Sequence, residues 1–370
     1  MMNRVRRLVA AGFAPLGGRC MSTYAGISKQ GLTIPPEIAS FLPAGRVARR
    51  PPLHEVRSDL IGDDVAAIPK PRIPPVPDSL NPLALYLESE SYYARLRFEL
   101  ENPDIFTGRP NFFFKELDKH LKGLREREFT VFTGKTGTGK TTFIAQYTLG
   151  YMLDQKEPTP TMWGSYEMGN QKLVKMKMRQ FMFAKNPALG MQTSKSVDDL
   201  LLESLDDVSA EFRKLPLYFL NTKRAFDLGS LRSVVQDLGI KHMVLDNLQF
   251  IAGEVGVGNK KFDCMDDLVR NLRDFADEYD LHVTLIAHPR KENARKLTIQ
   301  SLFGSGKLSQ ESDNVIALQL PDRAESRQTR LVQILKQREG GNLVETKVVY
   351  NPRTCLYEEI SPNPFLPDTD

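Results

Sequence analysis

Eight residues, Gly134 to Thr141, read GKTGTGKT and fit the pattern G-x-x-x-x-G-K-[ST] at every defined position. Glycines at 134, 137 and 139 let a backbone curl until its N–H groups face an anion. A helix beginning near Lys140 would add the positive end of its dipole. In such a loop Lys140 reaches the β and γ phosphates of a nucleotide, and the Thr141 hydroxyl ligates Mg²⁺. The run Gly134, Lys135, Thr136, Gly137, Thr138, Gly139, Lys140, Thr141 and Thr142 is therefore expected to bind ATP, or another nucleoside triphosphate, together with Mg²⁺.

Hydrolysis needs more than a cradle. HMVLDNLQF is an apolar run reaching Asp246, whose carboxylate can hold the hydration shell of the metal. TMWGSYEM is a second such run, reaching Glu167, which is free to position or deprotonate an attacking water. LIAHPRKENARK brings a third to His288, where a neutral imidazole can hydrogen-bond a γ-phosphate and report its presence. Cations cluster in two further places. One is GEVGVGNKKFD, with Lys260 and Lys261; the other runs from Arg290 through Lys291, Arg295 and Lys296 to Lys307. Basic residues on glycine-rich or polar loops suit a sequence-tolerant grip on a phosphate backbone.

These side chains can meet only if the chain delivers them to one place. From Leu124 onward strand-like and helix-like segments alternate, which predicts an α/β fold: a mostly parallel, twisted sheet with helices on both faces. In such a sheet reactive groups collect at the carboxyl ends of strands. Expected strands are FTVFTG, TMWGSYE, PLYFLN, HMVLDNL, HVTLIAH, NVIALQL, RLVQILK and ETKVVYN. The last three follow one another without helices between them, so the sheet should end in antiparallel strands.

Ahead of the α/β part, Leu83, Leu87, Tyr93, Leu96 and Leu100 recur at roughly helical spacing, consistent with a linker helix over 83–111 that could dock on a neighbouring subunit. Residues 31–82 are crowded with prolines and read as an extended or disordered linker. Residues 1–30 carry Arg4, Arg6, Arg7 and Arg19, and no acidic residue precedes Glu37. That is the composition of a mitochondrial transit peptide. Cys20, Cys264 and Cys355 form no CxxC pair, which argues against a disulfide framework or a zinc module. A net charge of +4 says little about nucleic acid, so any polyanion site must come from local clusters. No apolar run is long enough to span a bilayer.

Six segments, GKTGTGKT after its strand, WGSYEM, HMVLDNLQF, VTLIAHPRKE, FGSGKLSQESDNVIAL and LKQREGGN, follow one another in an order that resembles the RecA-like motor domain of hexameric replicative helicases. The resemblance is strongest to Twinkle-like mitochondrial helicases, which are related to phage primase-helicases, and it covers about residues 112–362, leaving 363–370 as a tail. It implies a RecA-like P-loop NTPase core and a homo-hexameric ring. It also implies 5′ to 3′ movement on single-stranded and forked DNA, and work in the matrix nucleoid beside a mitochondrial polymerase and a single-strand-binding protein. By the same resemblance Gln310 links the nucleotide site to DNA-facing loops. Arg338 matches an arginine finger given to the neighbouring subunit, and Lys336 a basic residue beside it.

Two departures stand out. No zinc-ligand cysteines precede the motor, so no primase-like half and no primase activity are expected. Glu339 follows the finger where the family has an aromatic residue, and Val344 stands where a glycine is common, which leaves the finger's placement open. Two functions remain compatible with these residues: an unwinding motor, and a RecA-type protein that binds single strands and anneals them under nucleotide control.

Overall fold

The computed structural model describes residues 89–103, 107–224, 226–255, 261–290, 296–302, 306–321, 326–341 and 343–360, with backbone alone at 91, 252–255 and 261–264. The expected transit peptide, the proline-rich linker and the tail lie outside these residues. A short 3₁₀ turn leads into helix α1 (Tyr93–Glu101), and α2 (Lys115–Leu121) precedes the first strand, β1 (Phe129–Gly134). Then come α3 (Lys140–Gly150), β2 (Thr161–Ser165), α4 (Asn170–Lys185), α5 (Pro187–Met191), α6 (Val197–Glu203), α7 (Leu205–Phe212) and β3 (Leu217–Phe219). The second half adds α8 (Leu228–Asp237), β4 (His242–Asp246), α9 (Leu248–Val255), α10 (Lys261–Glu278) and β5 (His282–Ala287). It closes with α11 (Lys307–Glu311), β6 (Asn314–Gln319), β7 (Thr329–Gln337), β8 (Glu345–Asn351) and β9 (Leu356–Glu359).

The nine strands form one sheet in the order β3-β2-β4-β5-β1-β6-β7-β8-β9. The first six are parallel; β6 through β9 pair antiparallel. Parallel strands covered on both faces read as near-continuous apolar runs, and β1, β4 and β5 are buried throughout. Alternation then assigns the faces. Val131, Leu245 and Leu285 pack with Val269 and Leu272 of α10. Phe132, Val244 and Ile286 pack on the other face with Phe143 and Tyr147 of α3.

The eight expected strands are present, most of them shorter than their apolar runs. β2 stops at Ser165 and β4 at Asp246, so Glu167 lies just past a strand end rather than inside one. β9 was not expected, because four residues containing two glutamates carry no apolar run. Helix α1 buries none of its residues, and Tyr93, Leu96 and Leu100 are exposed. No helix among the described residues is long and apolar enough to cross a membrane.

Register places the chemistry. Thr133 is level with Ala287, Ile286 with Asp246, and Asp246 with Ser165. The carboxyl ends of β1, β5, β4 and β2 therefore form one edge, which carries the glycine loop, His288, Asp246 and Glu167 in adjacent positions.

Candidate nucleotide site and the arginine cluster of the opposite edge

The glycine loop closes on itself. Gly137 and Gly139 adopt φ of 78° and 95°, values that side-chain-bearing residues avoid. Thr138 donates through its backbone N–H (3.2 Å) and its hydroxyl (2.8 Å) to the Lys135 carbonyl. Lys140, buried, points its ammonium back into the loop and donates to the same carbonyl at 3.1 Å. Gly134 is the last residue of β1, and Lys135, Thr136, Gly137, Thr138 and Gly139 span the turn up to Lys140, where α3 begins, with Thr141 and Thr142 in its first turn. The strand-loop-helix setting expected of the motif is present.

Thr141 Oγ1 donates to Asp246 Oδ2 at 2.6 Å. The other carboxylate oxygen of Asp246 is buried without a hydrogen-bond partner among the described residues. Burial pushes the Asp246 carboxyl up to about 6; the Thr141 hydroxyl opposes that shift, Glu167 adds to it, and Lys140 opposes it. A buried anion with one free oxygen and a hydroxyl already in contact has the donor chemistry of a hydrated divalent cation site. The residues fit Mg²⁺.

Glu167 reaches this edge because the Tyr166 and Glu167 N–H groups both donate to the Asp246 carbonyl, at 2.5 and 3.3 Å. Its carboxylate accepts a hydrogen bond from Asn247 Nδ2 and lies 3.4 Å from His288 Nε2. Asn247 Nδ2 is also 3.1 Å from that imidazole nitrogen. Gln249 clamps the His288 backbone from both sides, accepting from its N–H at 3.2 Å and donating to its carbonyl at 3.4 Å. Asp246, Asn247, Glu167 and His288 thus form one connected set.

Sequence reasoning missed four parts of this site. Asn247 and Gln249 sit inside LDNLQF, and the polar residues directly after a metal carboxylate were the available signal. Arg330 on β7 donates through Nε to the Thr138 carbonyl at 3.1 Å, and the Tyr357 hydroxyl of β9 approaches the Gly139 carbonyl at 3.4 Å. Only the antiparallel pairing of β6 to β9 brings these two to the loop, and no motif announces it.

Gln310, Lys336 and Arg338 gather elsewhere. Asn314 of β6 is level with Thr130 at the start of β1 and with Gln337, whereas Gly134 is level with Leu318. Arg338 therefore emerges at the edge opposite the glycine loop, at least four strand residues, or about 13 Å, away. Lys336 Nζ donates to the carbonyls of Ser309 (2.7 Å), Gln310 (3.4 Å) and Ser312 (2.5 Å), closing the C-terminus of α11. Burial lowers its ammonium below the ordinary lysine value. Arg338 donates to the Gln310 carbonyl and to Asp313. These three residues do not join Lys140 within one chain; they meet one another.

A family model described as the DnaB-like helicase C terminal domain matches residues 111–359. The chain belongs to this family. It is 26% identical over 348 residues to a DNA helicase/primase of Enterobacteria phage T3, a match covering 88% of this chain and 58% of the phage protein. The chain thus spans less than two thirds of that relative's length. Two of the solved structures that resemble it show the extent of the likeness. One, described as an ATPase domain, has a TM-score of 0.59, 17% identity and coverage of 74% of this chain and 100% of that one. The other, described as a DnaB-like replicative helicase and its interactions with primase, has a TM-score of 0.56, 18% identity and coverage of 75% and 68%. At such identities the likeness is one of fold, and it bears out the expected RecA-like core with antiparallel strands at its C-terminal end.

The basic segments of this DnaB-like chain are placed in part. Lys260, Lys291 and Arg295 lie outside the described residues, and Lys261 begins α10 with its side chain undescribed. Arg290 is exposed beside the isolated bridge of Pro289 to Leu302. Lys296 pairs with Glu345 of β8 at 2.9 Å, which occupies a cation the sequence offered to phosphate. Lys307 opens α11, on the path from this segment to Gln310.

Proposed function

We propose that this chain is the ATP-driven motor of a ring-forming replicative DNA helicase that moves along single-stranded DNA and parts the duplex. One observation carries the reading: the hydrolytic residues and the arginine cluster occupy opposite edges of one sheet. An arginine that cannot reach its own chain's phosphates can serve those of a neighbour, and a head-to-tail ring supplies such a neighbour at every interface.

Each residue then has a task. The loop N–H groups and Lys140 hold the phosphates. Asp246 and Thr141 would hold Mg²⁺, which when bound supplies positive charge against the phosphate oxygens. Glu167 orients an attacking water and takes its proton, with Asn247 fixing the carboxylate. His288, joined to the same asparagine, registers the γ-phosphate at the start of the basic segment. Arg338 of an adjacent subunit neutralises charge on the transferred group. Gln310 and Lys336 support that arginine, and Arg290, Lys291, Arg295 and Lys307, with Lys260 and Lys261, grip DNA.

The Twinkle-like motifs support a role in mitochondrial DNA replication, with 5′ to 3′ movement and with a polymerase and a single-strand-binding protein as partners. The acid-free, arginine-rich residues 1–30 support import into the matrix. The test is strand displacement on a forked duplex, with Glu167→Gln as control. ATP-dependent unwinding that disappears in the variant is expected. Hydrolysis and DNA binding without unwinding would sink the helicase reading and favour strand annealing. Import assays should show cleavage within the first few dozen residues, and a stable uncleaved cytosolic pool would remove the mitochondrial assignment.

A further inference from the structure

Arg338 is held on its own subunit. Nη1 donates to Asp313 Oδ1 at 2.9 Å, Nη2 to the Gln310 carbonyl at 2.7 Å, and the backbone N–H to the Asp313 carbonyl at 2.8 Å. Asp313 is buried, and its second oxygen accepts from the Phe129 N–H at 2.8 Å and from Arg273 Nη1. Phe129 opens β1, so the carboxylate is fastened to the strand whose far end carries the glycine loop. The next residue is fastened too: Glu339 pairs with the buried Arg125 and lies 3.8 Å from Lys122. A carboxylate in place of an aromatic residue therefore pins the turn rather than loosening it. What remains movable is the Arg338 guanidinium, whose side chain is 51% exposed.

Both terminal nitrogens of that guanidinium are occupied, so an arginine that reaches a phosphate must first leave Asp313 and Gln310. Two cations share one carboxylate, and Arg273 draws on the charge that holds Arg338. We propose that Asp313 is a positioning residue that parks Arg338 on its own subunit, and that Arg273 sets how readily the arginine passes to the neighbour's nucleotide. This rests on the trans-arginine reading above. Release also alters α11, because among the described side chains the Gln310 carbonyl then keeps only its longer bond to Lys336. The same movement that completes one subunit's site thereby loosens the helix that follows the basic segment of another.

The two holders act in opposite directions, and this separates parking from mere support of the fold. Asp313→Asn removes charge but keeps an acceptor, so DNA-free hydrolysis by the full chain should rise roughly twofold to fivefold, the span expected for weakening a half-exposed ion pair. Arg273→Gln leaves Asp313 to Arg338 alone, so DNA-free hydrolysis should fall by a similar factor. In both variants the DNA-saturated rate should stay within about twofold of wild type. Rates that fall together in both variants would overturn the proposal, as would unchanged rates. Should Asp313→Asn fail to fold, Arg273→Gln beside Arg273→Lys decides. A loss confined to the DNA-free rate and restored by lysine supports parking; a loss of both rates, or no loss, overturns it. Arg338→Ala keeps the two readings apart. If that variant hydrolyses at the wild-type rate, the trans arginine itself is wrong. If it is inactive while the other two fail to diverge, only the parking is wrong.

Discussion

At the scale of single residues the site is governed by one buried carboxylate. Asp246 binds a proton up to about pH 6 because burial penalises its charge. A divalent cation needs the anion, so protons compete with metal below that value. Affinity for Mg²⁺-nucleotide should be flat above pH 7 and should fall about tenfold per pH unit below about 6. Asp246→Asn should bind weakly with no such slope, and a wild-type titration that stays flat to pH 5 would refute the assignment. The same carboxyl bears on the free protein: its folded value lies above the ordinary one, so its contribution to stability is greatest at low pH and is lost as pH rises through about 6. Asn247 is the second residue that matters, since its amide meets both Glu167 and His288. Asn247→Ala should lower hydrolysis by about 10²-fold, the typical cost of misplacing a general base, with nucleotide affinity nearly kept. Single-turnover rates beside a binding titration would show this, and a parallel loss of both would make Asn247 structural.

At the scale of elements, β1, β4, β5 and α3 were legible because buried parallel strands are mostly apolar and the glycine loop has a fixed spacing. Asp246 and His288 could be placed at strand ends for the same reason. Arg330 and Tyr357 could not, because register alone decides that β7 and β9 come back to the loop. Asn247 was hidden differently: its role is a pair of side-chain contacts across β2 and β5, and periodicity carries no such information. The return of β9 has a testable consequence. A Cβ on Gly139 would stand 2.1 Å from the Tyr357 hydroxyl oxygen, on a backbone with φ of 95°. Gly139→Ala should weaken nucleotide binding at least about tenfold, from left-handed strain of about 1–2 kcal/mol plus the clash. Adding Tyr357→Phe should recover part of that loss by removing the hydroxyl, whereas Tyr357→Phe alone should bind nearly as wild type. No recovery in the double variant would mean that β9 does not wall the loop.

At the scale of the whole molecule, the separation of Lys140 from Arg338 turns a question of catalysis into one of assembly. If each site is completed by a neighbour, a subunit defective in Lys140 can still lend its arginine, and one defective in Arg338 can still hold nucleotide. Lys140→Ala and Arg338→Ala should therefore each be inactive alone. Mixed in equal amounts and allowed to reassemble, they place an intact loop against an intact arginine at about a quarter of interfaces in a head-to-tail ring. Hydrolysis should recover to about a quarter of the wild-type rate if interfaces act independently, and less if they fire in sequence. The exposed strip of Tyr93, Leu96 and Leu100 on α1 supplies a control. Leu96 and Leu100 are exposed, so with Leu96→Glu and Leu100→Glu each subunit should keep its melting temperature; if α1 docks on a neighbour, the same changes should abolish recovery in the mixture. Mixtures that stay inactive while sedimenting as full assemblies would place the arginine's work somewhere other than the neighbour's phosphate, and the ring would then have to be justified on other grounds.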